Sequence, residues 1–444
     1  MKAAVSINSK RRTPAILGML LLVATLAFGQ KSATPEAGMT AAPSWPLWDA
    51  YKSHFLDASG RVIDHDAGDR TTSEGQAYAM FFSLVGNDRP SFDRLLEWTV
   101  ENLAQGDLTA HLPAWEWGHA SDGAWRVLDA NSAADADLWT SYALLQAGRL
   151  WHQPRYRALG LALAAQISQR EVRELPGLGW TLLPGVTGFE AVDRPAQASA
   201  PDTGGKRAHK HDSQAGIWIL NPSYSPLPVL TGMAEADPHG PWRAIAEQLP
   251  ILLEKSSVRG FAMDWVSYRA NGSFLPAVLP GSPAAVQPVG SYDAIRVYLW
   301  AGIAPATMPG SRAVLHASSG MLRYSTDHSI PPRAVDALGN VTAADGPVGF
   351  SAALLPYLAA FHAKPGVMQQ QNRLAALRDK KNELYGSPPR YYDQNLALFS
   401  EGWQQRRYRF LADGELRVPW SNEAAHERKL QHSLLATRQP ESIR

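Results

Sequence analysis

Thr71-Thr72-Ser73-Glu74-Gly75-Gln76, running into the apolar stretch Ala77 to Val85, decides how the rest of the chain is read. Ser73 with Gln76 three residues on has the spacing of a capping box that opens a helix. Tyr78, Phe81, Phe82 and Val85 recur at helical spacing, which predicts one buried face. Glu74 then stands at the first helical position, on the rim of the core the helix enters. A carboxylate there either complements the helix dipole or serves as a catalytic acid at the mouth of a pocket. Gly75 is costly in a first turn, which makes sense if something bulky lies against the backbone there.

Outward from this stretch the chain is a succession of helices. Trp45, Trp48, Tyr51 and Phe55 predict one before it. Ser91 to Ala104, Asp135 to Trp151 and Arg155 to Val172 follow, with a small Gly-bounded hairpin at Gly177 to Gly185. Later helices are expected at Pro222–Met233, Trp242–Lys255, Tyr292–Ile303, Ser351–His362, Asn372–Tyr385 and Tyr391–Ser400. Convincing strands are few. The loops are longer than ordinary helix connections and hold most of the Trp, Asp and Gly, as loops on one functional rim do. Twelve helices would leave roughly 35 residues for each helix and its loop, against a mean helix of about 12. That arithmetic suits an α/α toroid, and no repeat at a fixed period points to a solenoid.

Composition narrows the class. Apolar residues at 45% and charged residues at 19% exclude a disordered chain. A net charge of +1 provides no field to gather nucleic acid or anionic membrane. Without a cysteine there is neither a disulfide nor a thiolate metal site. Lys2, Lys10, Arg11 and Arg12, the apolar run Ala15 to Phe28 and the small-x-small site Ala27-Phe28-Gly29 have the form of a secretory signal spanning residues 1–29. A loose leader over 30–43 is expected to follow. The apolar run is too short to span a bilayer comfortably, so an exported chain without membrane insertion is expected, in the periplasm or outside. Residues 44–421 would be the functional domain, with a polar, flexible insertion at 194–216 and a charged tail over 422–444. His209 and His211 fall in that insertion. No metal or cofactor is expected, and there is no His-Glu-x-x-His, Gly-x-Ser-x-Gly or phosphate loop.

Two further acidic positions stand apart from surface charge. Asp135 and Asp137 in Ala134-Asp135-Ala136-Asp137 are two residues apart at a helix start. They cannot face the same way, so one would enter a site and the other would cap. Asp293 and Arg296 in Ser291-Tyr292-Asp293-Ala294-Ile295-Arg296 are spaced to pair on one face, as a structural ion pair or as a base held ionised by its arginine. Glycosidic hydrolysis asks for two carboxyl groups in opposite protonation states. Trp115 and Trp117, in a Pro-Ala loop outside any helical pattern, are either loop packing or platforms for pyranose rings. Tyr224 and Tyr391-Tyr392 are weaker members of the same class.

Together, Thr72-Ser73-Glu74-Gly75-Gln76, Ala134-Asp135-Ala136-Asp137 and Ser291-Tyr292-Asp293-Ala294-Ile295-Arg296 resemble glycoside hydrolase family 8, and the endoglucanases of bacterial cellulose-synthase operons within it. Gly60-Arg61-Val62-Ile63-Asp64, Leu112-Pro113-Ala114-Trp115 and Gly346-Pro347-Val348-Gly349-Phe350 extend the match in the same order, from Trp45 to about Trp420. The resemblance implies an (α/α)6 barrel that cuts internal β-1,4-glucan bonds with inversion. It implies Glu74 as the proton donor, Asp293 as the base held by Arg296, and Asp135 as the aspartate that binds the sugar beside the cut bond. Trp115, Trp117, Tyr224, Tyr292 and Arg296 would contact the substrate, a cellulose chain or cellooligosaccharide. A synthase or export machinery would be the protein partner. Other β-glycans (xylan, chitosan, mixed-linkage glucan) are the alternative substrates, and a non-cleaving glucan-binding scaffold is the alternative class. One departure concerns Ala134, where the family signature has Ser or Thr.

Overall fold

The computed structural model describes residues 44–192, 216–277 and 289–421. The expected signal, leader and tail lie outside these residues, as does the 194–216 insertion apart from Gly216.

Thirteen helices occur among the described residues: α1 (Pro46–Phe55), α2 (Ser73–Val85), α3 (Arg89–Asn102), α4 (Ala134–Leu150), α5 (Pro154–Arg170), α6 (Leu227–Ala236), α7 (Trp242–Ser256), α8 (Ala294–Ile303), α9 (Ser311–Ala317), α10 (Gly320–Asp327), α11 (Val348–Ala360), α12 (Lys364–Leu377) and α13 (Tyr391–Gln404). Six of them are buried on nearly every side: α2, α4, α6, α8, α11 and α13. Helices apolar all round belong inside, and these form a closed ring. Each packs on the next, in the order α2, α4, α6, α8, α11, α13, and α13 returns to α2. Outside them, α1 packs on α13, α3 on α2, α5 on α4, α7 on α6, α9 on α8 and α12 on α11. This is the expected (α/α)6 barrel, with α10 as an extra helix.

The ring is plugged by aromatic side chains from different inner helices. Phe82 and Phe399 are 4.7 Å apart between ring centroids, Phe81 and Trp139 5.0 Å, Trp139 and Trp300 5.2 Å, and Trp300 and Phe399 5.0 Å. Each such pair adds about 0.5–1.5 kcal/mol beyond its buried area. Gly302 lets α8 touch α11 at backbone distance, since a Cβ there would sit 2.2 Å from the Tyr357 nitrogen.

Strands occupy the connections. β1 (Thr71–Thr72), β2 (Glu116–His119) and β3 (Trp125–Asp129) form an antiparallel sheet that leads directly into α2. β4 (Val172–Leu175) and β5 (Gly179–Leu182) form a small hairpin that turns at Gly177 and takes its first strand from before the expected Gly177–Gly185 span. β6 (Glu190–Val192), β7 (Gly216–Leu220), β8 (Val266–Arg269) and β9 (Phe274–Pro276) make a four-stranded antiparallel sheet that the sequence pattern did not announce. β6 and β7, and β7 and β8, lie far apart in the chain, so no local signal marks those pairings, whereas β8 and β9 are joined through Asn271-Gly272, a hairpin signal that the expectation of few strands left out.

Several local expectations need correction. The cap of α2 is Thr72, one residue earlier than expected, and its hydroxyl accepts from the Gly75 N–H at 3.3 Å. Gln76 closes no capping box. It is fully buried and ties three segments together, accepting from the Val62 N–H and donating to the Gly60 carbonyl and the Thr99 hydroxyl. The helix expected at Asn372–Tyr385 runs instead over Lys364–Leu377. Lys364-Pro365-Gly366 resembles a breaker, yet proline in a first turn costs nothing because its missing N–H would have no partner there. Helices α9 and α10 were not expected; they are short, and pattern over so few residues is weak.

Candidate active site

The starts of the inner helices converge. Glu74 opens α2, Asp135 opens α4, Tyr224 lies in the turn just before α6, Asp293 precedes α8, and Tyr391 and Tyr392 open α13. One guanidinium joins three of these elements. Arg296 on α8 is 3% exposed; its Nη1 donates to Asp135 Oδ2 at 2.6 Å and to the Tyr78 hydroxyl at 2.9 Å, while Nη2 donates to Asp293 Oδ1 at 2.7 Å. The same guanidinium lies 5.3 Å over the Tyr224 ring. The i, i+3 spacing did pair Asp293 with Arg296, but the shorter bond runs to Asp135, 161 residues away, which spacing cannot reveal.

The two aspartates are not equivalent. The Asp135 side chain is 2% exposed, whereas that of Asp293 is 28% exposed. Asp135 Oδ1 also accepts from the Ala136 N–H at 2.9 Å. Burial pushes the Asp135 carboxyl up, and Arg296 opposes this.

Glu74 is a second-position residue of α2, and Trp115 Nε1 donates to its Oε1 at 3.2 Å. Its carboxyl is pushed up from the usual range to about 8, first by desolvation and next by the charge of Asp135. The helix dipole favours the ionised form, but here burial and a neighbouring negative charge prevail. Both influences favour the protonated form of Glu74, and the more exposed Asp293 side chain is held by the same Arg296 that binds Asp135.

Behind Asp293 stands a residue without any sequence signal. Asp264 Oδ1 accepts from the backbone N–H groups of Ser291, Asp293 and Ala294 at 2.8, 3.1 and 2.7 Å. It fixes the turn that carries Asp293. Burial, then the nearby Asp293, lifts its own carboxyl to about 7.

The aromatic residues divide into two groups. Tyr292 is 42% exposed, stands against Phe350 and Tyr392, and offers a surface beside Asp293. Tyr392 donates to the Tyr292 carbonyl at 2.5 Å. Tyr224 is buried, with its ring against Arg296 and the edge of Trp265. Trp115 meets the acid directly, with the Arg70 guanidinium 5.9 Å from its ring. Trp117 is stacked on Trp125, has the Arg61 guanidinium 4.6 Å from its centroid and the edge of Trp98 against it. The open indole of that stack is Trp125, at 45% exposure.

Gly75 is explained by Tyr391. A Cβ at residue 75 would lie 2.2 Å from the Tyr391 hydroxyl. Helix propensity alone makes Gly75→Ala stabilising by about 1 kcal/mol. The structure gives the opposite sign: overpacking destabilises by about 1–3 kcal/mol and shifts the turn that holds Glu74. Denaturant midpoints should fall for Gly75→Ala and recover in Gly75→Ala with Tyr391→Phe, which removes the clashing oxygen. A stabilised single variant would contradict this packing.

Asp137 is not the cap it was expected to be. The residue before α4 is Ala133, with no side-chain cap, and Asp137 is wholly buried beside Glu171. Among the described residues there is no cluster of His, Cys, Asp and Glu suited to a metal ion, and no helix is long and apolar enough to cross a membrane.

Three comparisons with known proteins bear on this geometry. The profile of glycosyl hydrolases family 8 matches residues 30–194 and 204–406. An endoglucanase of Xanthomonas axonopodis pv. citri is 43% identical over 91% of this chain and 97% of its own length. One from Salmonella typhi is 39% identical over 87% and 94%. The crystal structure of an endo-1,4-D-glucanase from Vibrio fischeri superposes with a TM-score of 0.72 at 38% identity, covering 85% of this chain and 99% of that one.

Proposed function

Because the chain belongs to glycosyl hydrolases family 8, we propose that the rim formed by α2, α4 and α8 performs the cut, with Glu74 as acid and Asp293 as base. The protein is an endo-β-1,4-glucanase, and its substrate is a cellulose chain lying along the cleft. The observation that carries this assignment is the division of roles around Arg296. One partly exposed carboxyl group is held by Nη2 and one buried carboxyl group by Nη1, while burial and the charge of Asp135 favour the protonated form of a third, Glu74.

The chemistry follows from that division. Glu74 donates its proton to the glycosidic oxygen as the C–O bond breaks, so the leaving sugar departs as an alcohol. Asp293 removes a proton from a water that attacks the anomeric carbon from the opposite face, which inverts its configuration. Asp135, locked by Arg296 and its own helix start, contacts the sugar beside the broken bond and keeps Glu74 protonated. Tyr292, Tyr224 and Trp115 supply ring contacts to neighbouring sugars, and Trp125, backed by Trp117, extends that surface. The basic start and the apolar run before Gly29 support export. The setting that fits is the trimming of glucan chains as a synthase extrudes them.

Proton NMR of the first products from soluble cellooligosaccharides tests the assignment. The α-anomer should appear first and then mutarotate. Initial β-anomer would remove Asp293 from its role. Reducing-sugar assays on carboxymethylcellulose, xylan and chitosan in parallel test the substrate, with the β-1,4-glucan expected to be cut fastest.

A further inference from the structure

Directly behind Asp135 lies a carboxyl pair to which the reaction above assigns no task. Asp137, in the first turn of α4, and Glu171, just after α5, are both 0% exposed. They lie within hydrogen-bonding reach of each other. The Ser132 hydroxyl donates to Glu171 Oε1. Among the described residues, neither oxygen of Asp137 receives a hydrogen bond from any N–H or O–H, and Glu171 Oε2 has no donor either. An ionised carboxylate buried without a donor costs several kcal/mol, and two in contact cost more. A proton between them resolves both problems: Asp137 as a carboxylic acid donates to Glu171, which already accepts from Ser132.

The pair sits where it holds the catalytic rim together. Asp137 is two residues from Asp135. Ser132 adjoins Asn131, whose carbonyl accepts from the Trp115 N–H at 2.6 Å, and the Trp115 indole in turn holds Glu74. Glu171 is anchored by its own backbone, which donates to the Ile167 carbonyl at 2.8 Å and accepts from the Leu183 N–H at 2.7 Å. We propose that Asp137 is carried as a neutral acid donating to Glu171, and that this bond is a positioning device setting the first turn of α4, and so Asp135, against Arg296. Burial raises both groups, Glu171 to about 8, and each also feels the charge of Asp135. Glu74 on α2 also acts on Asp137, and Arg170 on α5 on Glu171.

The role in positioning Asp135 rests on the glucanase assignment above; the protonation state does not, so the two can fail separately. The first test is an infrared difference spectrum at neutral pH, wild type minus Asp137→Asn. A protonated carboxyl has a C=O band well separated from carboxylate bands, and that band should be present in the difference. Its absence overturns the proposal. The second test is turnover of cellooligosaccharides. Asp137→Leu cannot donate, so kcat should fall about 100-fold, as for a rim group displaced by an ångström. Asp137→Asn keeps an N–H donor toward Glu171 and should recover kcat to within about threefold on the same scale. A Leu variant as fast as wild type, or an Asn variant as slow as the Leu variant, contradicts the device. If the Leu variant does not fold, the infrared band and the kcat of the Asn variant still decide.

Discussion

Glu74→Gln should lower kcat on cellooligosaccharides by about 10³–10⁴-fold, the value of a positioned general acid, while the dissociation constant for the same ligand stays within a few-fold. The amide is isosteric, so it can still accept from Trp115 Nε1, and nothing in the packing around α2 changes. What is lost is the proton. Two consequences separate this from a general disturbance. On glycosyl fluorides, whose leaving group needs no proton, the variant should recover much of the lost rate. In the wild type, kcat/KM should fall as pH rises through about 8, because the carboxyl is held protonated up to there and is useless as an acid above it. The sign follows from the direction of the shift: a raised acid keeps activity below its pKa and loses it above. A wild type that remains fully active well above pH 8, or a variant equally slow on fluorides, would place the acid elsewhere.

The second large effect belongs to Arg296. Its guanidinium satisfies Asp135, Asp293 and Tyr78 together while almost completely buried. Arg296→Met removes the only cation among these contacts and leaves a buried aspartate without its partner. Breaking a buried pair from one side costs about 3–5 kcal/mol, so the denaturant midpoint should fall steeply. Activity should be lost at least as completely as in the Glu74 variant, since both aspartates lose their orientation. Adding Asp135→Asn to Arg296→Met should recover part of the stability, because the stranded charge is gone, and none of the activity. Equal stability of the single and double variants would mean that Asp135 does not depend on Arg296 for its charge balance.

How much of this could be read before the coordinates depends on distance along the chain. Asp293 and Arg296 are three residues apart, and Glu74 follows a capping residue, so local spacing marks both. The inner helices were legible because apolar residues dominate them, as in Ala77 to Val85, where Ser83 is the one hydroxyl-bearing aliphatic side chain. Asp264 was not legible, since a single Asp between Met263 and Trp265 has no pattern, and its three hydrogen bonds go to backbone 27 to 30 residues away. Gln76 looked like a cap because it stands in a capping position, and its partners at Gly60 and Thr99 are invisible from there. The oddity of Gly75 was visible, but its cause, Tyr391, lies more than three hundred residues away. The family resemblance bridged what spacing could not, because Asp135 joins the site through a contact 161 residues long.

The claim beneath all of this is that one proton-bearing and one bare carboxyl act on the same bond from opposite sides. A crystal structure of the Glu74→Gln variant with a cellooligosaccharide spanning the cleft addresses it most directly. The account predicts the residue 74 amide within about 2.6–3.2 Å of a glycosidic oxygen. It also predicts a water held between Asp293 and the anomeric carbon on the other face of that sugar. A bound chain with both side chains on one face, or with Asp293 directly against the anomeric carbon and no space for water, would contradict it.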